Sequence, residues 1–483
     1  MALLKISPIF VIVALLLKGV DVKVAASIAA VYGAFIVAFV DKRSYNDIVN
    51  KVVESVSTII LVFFILMFAY AMAESFMATG VGASIIRLAL RMGVTGKLVA
   101  VVAFLTTAAL SIATGTSWGT FAACAPVFLW LNHITGGNFA LTTAALAGGS
   151  CFGDNIGLIS DTTIVSCGVQ NVEVIDRVRY QGIWSLLCLV LSALLFFVVG
   201  ISMGLPDQPS LASEAIAQIP PEAWATLEAE RPSAVMLLKQ VSEGVPNSMI
   251  LPFIIVLITA FKGVPTLLCL GLGIVSSLIM GLIIGSTSLM GFFDLLYIGY
   301  SDAGSASVAM MLWVTAFGGI MNMMNAFEPF SKFILRISKS VRQLLFYNGV
   351  FCIIGNTLLA DEMAQIVTIG PIIKEMTDNN VEASEENMYR IRLRNATFSD
   401  AMACFSALII PWHCYVVFFR GIANSVYPLY SFGFSDIAKY NFMAYIAIIS
   451  LLILTLTGLD KFIPLFHLPS EPEVKLKKYN ANI

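Results

Sequence analysis

Five carboxylates stand in stretches of this chain apolar enough to lie at membrane depth. Asp154 and Asp161 fall within Gly153-Asp154-Asn155-Ile156-Gly157-Leu158-Ile159-Ser160-Asp161-Thr162-Thr163, and Asp361, Glu362 and Asp400 fall within 344–424. An ionised carboxylate in the bilayer centre costs a few kcal/mol or more, so each is a functional candidate by default. Glu74 is a further candidate near the end of an apolar run. Oxygen donors surround the acids. Thr114-Gly115-Thr116-Ser117-Trp118-Gly119-Thr120 offers four hydroxyls, and its two glycines let the backbone turn and present carbonyls. Asn155, Ser160 and Thr162 accompany the first pair of acids. In the later region Asp361, Glu362 and Gln365 are expected to face Ser399, Asp400 and Ser406. Sodium is a hard cation that takes carboxylates, hydroxyls and unwound backbone carbonyls as ligands. A tip at 114–117 facing the 154–163 stretch would assemble such a site from Asp154, Asp161, Thr116 and Ser117.

Each of these residues also has a plainer reading. Hydroxyls within spans bond the carbonyls of the preceding turn or join helices. A buried aspartate can belong to a polar network that holds no ion, and Glu362 or Glu74 can reach a solvated mouth. His413, after Ile410-Pro411-Trp412, is either a proton relay or a neutral hydrogen-bonded histidine. No Lys or Arg falls within the predicted tips or breaks, and Arg420 is the nearest. Acid in excess of base favours a cationic cargo, although helix N-termini can also hold an anion.

The elements that must position these groups are membrane helices. Of 483 residues, 58% are hydrophobic and 12% charged, against roughly 25% charged in soluble proteins. Mean hydropathy is +0.89. So much apolar surface needs lipid as solvent, and the length describes one membrane domain. A net charge of −2 implies no basic surface for nucleic acid. The eight cysteines are scattered, without CxxC or Cys/His spacing, and are expected as free thiols. The first apolar run lacks an A-x-A cleavage site and is expected as a retained helix.

Apolar spans occur at about 5–20, 22–41, 52–78, 181–203, 247–262, 265–287, 308–326 and 437–458. Between them lie two regions studded with Gly, Ser, Thr, Asn and acids. Non-helical backbone at this depth survives only where it is buried or lines a cavity. Segments 98–132 and 344–376 read as re-entrant hairpins with half-depth arms and tips at Thr114–Ser117 and Ala360–Glu362. Segments 139–168 and 397–424 read as broken helices. Phe152, Asp154 and Ser160 match Phe398, Asp400 and Ser406, each 246 residues later (for example 154 to 400). The expected fold is therefore an all-α polytopic membrane protein with two inverted repeats, each of five spans including one broken helix plus a re-entrant hairpin. Residues 1–204 form the first repeat, 205–245 an extracytoplasmic loop, 246–460 the second repeat and 461–483 a cytoplasmic tail. With both termini inside, most Lys and Arg, including Arg177 and Arg179, fall in cytoplasmic loops, as the positive-inside rule requires. Arg87, Arg91 and Lys97 are exceptions, on an expected interfacial helix. The loop and tail are expected to be solvated spacers.

These motifs resemble the NhaC-type Na+/H+ antiporter family. Gly115–Thr120 matches its Gly-Thr-Ser-Trp-Gly-Thr stretch, and Gly153–Thr163 its Gly-Asp-x-x-x-Pro-x-Ser-Asp-Thr-Thr stretch. Asp361-Glu362 is similar to an Asp-Gln pair, and Asp400 leads to Ile410-Pro411-Trp412-His413 where the family has Ile-Pro-Trp-Asn. Asn155, Gly157, Glu362 and His413 depart from the pattern. The resemblance implies a secondary transporter of the inner cell membrane that exchanges Na+ for H+. Asp154, Asp161 and Asp400 would hold one ion or the other, with no cofactor and the possibility of a homodimer. The family also includes sodium-coupled exchangers of organic acids or amino acids, so a coupled carrier of a small organic solute is the second reading. A channel is disfavoured by the paired halves, and no HExxH or GxSxG points to an enzyme.

Overall fold

The structure is a computed structural model that describes residues 2–477 apart from Thr58, Ile159, 209–211, Asn325 and Ala326. Ile159 of the first acidic motif and residues 478–483 of the tail thus lie outside the described residues. The first half runs α1 (Ala2–Leu17), α2 (Val22–Val40), α3 (Tyr45–Ser57), α4 (Ile60–Thr79), α5 (Val81–Arg91), α6 (Val99–Thr114), α7 (Ser117–Thr135), α8 (Phe139–Ile156), α9 (Asp161–Gln170) and α10 (Val174–Ser202). Three short helices follow, α11 (Ala212–Ala217), α12 (Pro221–Glu230) and α13 (Pro232–Glu243). The second half runs α14 (Leu251–Phe261), α15 (Thr266–Ile284), α16 (Leu289–Asp302), α17 (Ala309–Met323), α18 (Glu328–Ile337), α19 (Val341–Leu359), α20 (Glu362–Asn380), α21 (Glu385–Ala407), α22 (Cys414–Val426), α23 (Phe434–Ala438) and α24 (Phe442–Thr457). Among the described residues, five runs are long and apolar enough to cross a membrane: α2, α4, α10, α15 and Leu289–Met323.

Helix bounds recur at nearly constant spacing. α2 returns as α15 after 244 residues (22 to 266, 40 to 284), and α7 returns as α20 after 245 (117 to 362, 135 to 380). The tips repeat in backbone angles as well. Gly115 is left-handed (φ 65°) and Thr116 extended (−148°, 132°). Ala360 is left-handed (φ 57°) and Asp361 extended (−146°, 133°). Glycine takes the left-handed region freely, whereas an alanine pays about 1–2 kcal/mol for it. At Ala360 the tip is held by a hydrogen bond from Cys414 N to the Ala360 carbonyl (3.1 Å). The next helix starts alike in each half, with Asn138 capping Leu141 N and Ser384 capping Asn387 N.

The structure differs from expectation in several places. The hairpin arms α6 and α7, of 16 and 19 residues, are about 24 and 28 Å long, well beyond half a bilayer of ~30 Å. The polar tip marks the turn between the two arms. The third span of the second half begins at Leu289, not 308, and passes through a π-helical turn, Ala303–Val308. Asp294 and Asp302 had lowered its hydropathy. The breaks fall at 157–160 and 408–413, so Ser160 caps α9 while Ser406 lies inside α21. Their matching sequence offset is not a structural equivalence.

Neither hydrophilic segment is a simple spacer. α13 buries Leu237, Leu238 and Val241. The tail strand Val474–Leu476 pairs antiparallel with Val381–Ala383. Buried Arg394 binds Asp460 at 3.2 Å and the Phe466 carbonyl at 2.6 Å.

Candidate functional site

The first tip and the first break meet at Asp154, which is 3% exposed. Asp154 ends up there because Gly149 and Gly153 let α8 press against α6. A Cβ at Gly153 would overlap the Ser111 and Ile112 backbone. Four donors converge on the carboxylate. Ser160 Oγ donates to Oδ1 at 2.6 Å. Oδ2 accepts from Ser117 N at 3.2 Å, from Tyr415 OH at 3.0 Å and from Ser117 Oγ. They come from the tip, the first break and the second broken helix, so the carboxylate joins the two halves.

Glu362 and Cys404 approach the same point. An oxygen of Asp154, an oxygen of Glu362 and Cys404 Sγ all lie within 4.8 Å of one another. Trp118 Nε1 donates to Glu362 Oε1 at 3.4 Å, and Glu362 Oε2 is buried without a hydrogen-bond partner. Trp118 packs edge-on against Tyr415 and Phe418 at 4.6 and 4.8 Å. The aromatic wall excludes water, while the two carboxylates supply the hard oxygens a sodium ion takes.

Asp400 has a different environment. Arg177 Nη1 lies 2.6 Å from Asp400 Oδ2, and neither side chain is exposed. Thr163 Oγ1 donates to Asp400 Oδ2 at 3.1 Å and also approaches the Asp154 carbonyl at 3.2 Å. Arg177 and Gln181 bind the Asn155 carbonyl at 3.3 and 2.8 Å. A base thus stands at the breaks after all, brought in from the first turns of α10. Arg177 was expected in a solvated loop. Its guanidinium balances Asp400, leaving Asp154 and Glu362 as the acids without a cationic partner in the cluster.

The remaining predicted residues divide as follows. Thr162 joins the cluster through Ser160 (2.9 Å). Thr114 bonds Thr120 (2.9 Å), and Thr116 takes part through its carbonyl, with no side-chain cap bond. Asp161 is exposed, on the first turn of α9, with no described hydrogen bond or ion pair. It turns away because the helix begins at that residue and Ser160, not Asp161, takes the capping position. The predicted second-half site is not assembled. Among the described residues no hydrogen bond or ion pair joins Asp361 or Glu362 to Ser399, Asp400 or Ser406. Ser399 and Gln365 are buried without partners, and Ser406 bonds the Met402 carbonyl and Asn356. Both ring nitrogens of His413 are used: Nδ1 accepts from Tyr415 N at 3.2 Å and Nε2 meets Asn356 Oδ1 at 3.0 Å. That is a helix cap, with no lone pair left for a relay. Glu74 is buried against Ser233 Oγ (2.5 Å) and Arg231 (3.5 Å).

Sequence reasoning missed Tyr415, Cys404, Thr163 and Arg177. Cys404 was within reach, since it lies one turn beyond Asp400 on the same helical face. Tyr415 follows His413 by two residues but carries no signal of its own.

Paired tips, broken helices and buried acids set among long apolar helices mark a multi-pass membrane protein. The chain belongs to the Na+/H+ antiporter family, whose profile matches residues 1–201 and 149–459. It is 29% identical over 161 residues to the Malate-2H(+)/Na(+)-lactate antiporter of Bacillus subtilis (strain 168), a stretch covering 33% of this chain and 34% of that one. The matched part thus spans about a third of that relative. It is 21% identical over 410 residues, 81% of each chain, to the Na(+)/H(+) antiporter NhaC of Alkalihalophilus pseudofirmus (strain ATCC BAA-2126 / JCM 17055 / OF4). The Alcanivorax borkumensis YdaH transporter aligns over 86% of this chain and 88% of its own, with 14% identity and a TM-score of 0.40.

Proposed function

We propose that this protein exchanges Na+ for H+ across the cell membrane by alternating access, with Asp154 as the shared carboxylate and Glu362 as the second acid. The observation that carries this reading is the convergence of Asp154, Glu362 and Cys404, all buried, within 4.8 Å. Four donors hold Asp154 as an anion. A sodium ion neutralises it in one phase and a proton in the other. Because the two compete for one carboxylate, they cross in opposite directions. Arg177 keeps Asp400 paired throughout, so Asp400 organises the breaks and does not bind the ion directly.

The repeating helix bounds support two repeats, 1–204 and 246–460, read as inverted, and the placement of Lys and Arg supports cytoplasmic termini with the α11–α13 segment on the outer face. A second reading, sodium-coupled exchange of a small carboxylate, is supported by the name of the Bacillus subtilis relative. Purified protein in liposomes holding a pH-sensitive dye separates the two. Sodium-driven proton movement without organic solute, abolished in Asp154→Asn, is the expected result. Silence with sodium alone, followed by sodium-dependent uptake of labelled malate, selects the second reading.

A further inference from the structure

Asp361 and Glu362 are consecutive at the second tip yet serve different spaces. Glu362 joins the buried cluster. Asp361 lines a cavity of ≈ 150 Å³ between the tip and helices α3 and α17. Lys51 and Glu54 also line it, but they pair with each other at 3.2 Å. Asp361 is therefore the charge left over among the described lining residues. Its Oδ1 caps α20, accepting from Ala364 N at 2.8 Å. Thr315 of α17 lines the same cavity. It is 5% exposed, and its Oγ1 has no hydrogen-bond partner. Gly318 brings α17 close against the Leu359 carbonyl at the end of α19, where a Cβ would collide. A carboxylate, an unused hydroxyl and a helix-end carbonyl are the hard oxygens a small monovalent cation takes.

A second cavity, of ≈ 560 Å³, shares Asn322 and Thr368 with the first and runs out past Lys332, Glu375 and Asn379. Where the two meet, Asn322 Nδ2 donates to Thr368 Oγ1 at 3.2 Å. The two cavities thus adjoin at this hydrogen bond, beside the tip.

We infer that Asp361, with Thr315 and the Leu359 carbonyl, forms an access station for a monovalent cation. It is separate from the Asp154 site and lies beside the Asn322–Thr368 contact. Only the identity of the ion, sodium, rests on the exchange reading. The station explains why two acids are consecutive at this tip: one meets the ion on the access side, and the other receives it in the cluster.

Substituted-cysteine protection tests this on the full chain. All eight native cysteines are buried, so Thr368→Cys supplies an accessible thiol. Its reaction with a membrane-impermeant cationic methanethiosulfonate is timed in proteoliposomes, in sodium chloride and in choline chloride. Sodium is expected to slow modification several-fold. The protection should disappear when Asp361→Asn or Thr315→Val is added, and remain when Asp154→Asn is added. Asn is itself a good N-cap, so Asp361→Asn keeps the helix start, and Thr315→Val keeps the side chain's shape. The proposal is overturned if sodium gives no protection, if protection survives both station variants, or if Asp154→Asn alone removes it. The exchange reading fails separately, if Asp154→Asn leaves sodium-driven proton movement intact.

Discussion

Arg177 and Asp400, from α10 and α21, meet at 2.6 Å with neither side chain exposed. The pair balances a buried acid with a buried base. It also holds Thr163, which touches the main chain of Asp154. The two broken helices are thereby tied to each other beside the proposed ion site.

Removing one partner of a buried pair leaves an unpaired charge and costs about 3–5 kcal/mol. Arg177→Gln is expected to lose that much stability in thermal unfolding of the detergent-solubilised protein. Arg177→Gln combined with Asp400→Asn should recover part of it. Equal stability of Arg177→Gln and the parent would show that the pair is not structural.

Ser160 and Tyr415 each donate one hydrogen bond to the Asp154 carboxylate. Hydrogen bonds to charged groups contribute about 1.5–3 kcal/mol, and about 1.4 kcal/mol is tenfold in affinity. Ser160→Ala and Tyr415→Phe should each raise the sodium concentration for half-maximal exchange by roughly tenfold at fixed pH. An unchanged sodium dependence in both would remove Asp154 from the ion path.

Asp161 lies in the same motif as Asp154 but is exposed. Asp161→Asn should change stability by no more than about 0.5 kcal/mol, as surface substitutions do, and leave sodium-driven exchange near the parent rate. Loss of exchange in this variant would restore the ligand role expected from sequence.

Gly153 sets the closeness of α8 to α6, and a methyl group there meets the Ser111 and Ile112 backbone. Overpacking a tight contact costs about 1–3 kcal/mol, and backbone has little room to yield. Gly153→Ala should displace Asp154 and abolish exchange, with a lowered midpoint in thermal unfolding. Parent-like activity would mean that α8 has slack the structure does not show.

Arg231, at the junction of α12 and α13, binds Asp302 and approaches Glu74 at 3.5 Å, while Ser233 also bonds Glu74. Arg231→Gln leaves two acids short of a cation. Amide hydrogen exchange across 212–243 is expected to speed up, because this contact seats the segment on α4 and α16. No change in exchange rate would leave the seating to the apolar face of α13 alone.

The sequence by itself determined the solvent and the punctuation. An apolar chain with polar interruptions must span lipid and bury those interruptions. The tips at Gly115–Thr116 and Ala360–Asp361 follow from local residue types, as do the breaks after Ile156 and Ala407. Each is a short-range property of backbone freedom and capping. Asp154 was legible for the same reason, as a charge with no local way out of the bilayer. Only the tertiary structure decided how the charges pair. Arg177 reaches Asp400 across more than two hundred residues, Glu362 turns to the first half's acid, and Asp161 points away. Arg231 seats a segment whose composition reads as a spacer. Such pairings depend on which helix faces meet, and periodicity within one helix says nothing of its neighbour. The proposed ion site therefore came from the sequence as a set of candidates, and the packing of the two halves selected among them.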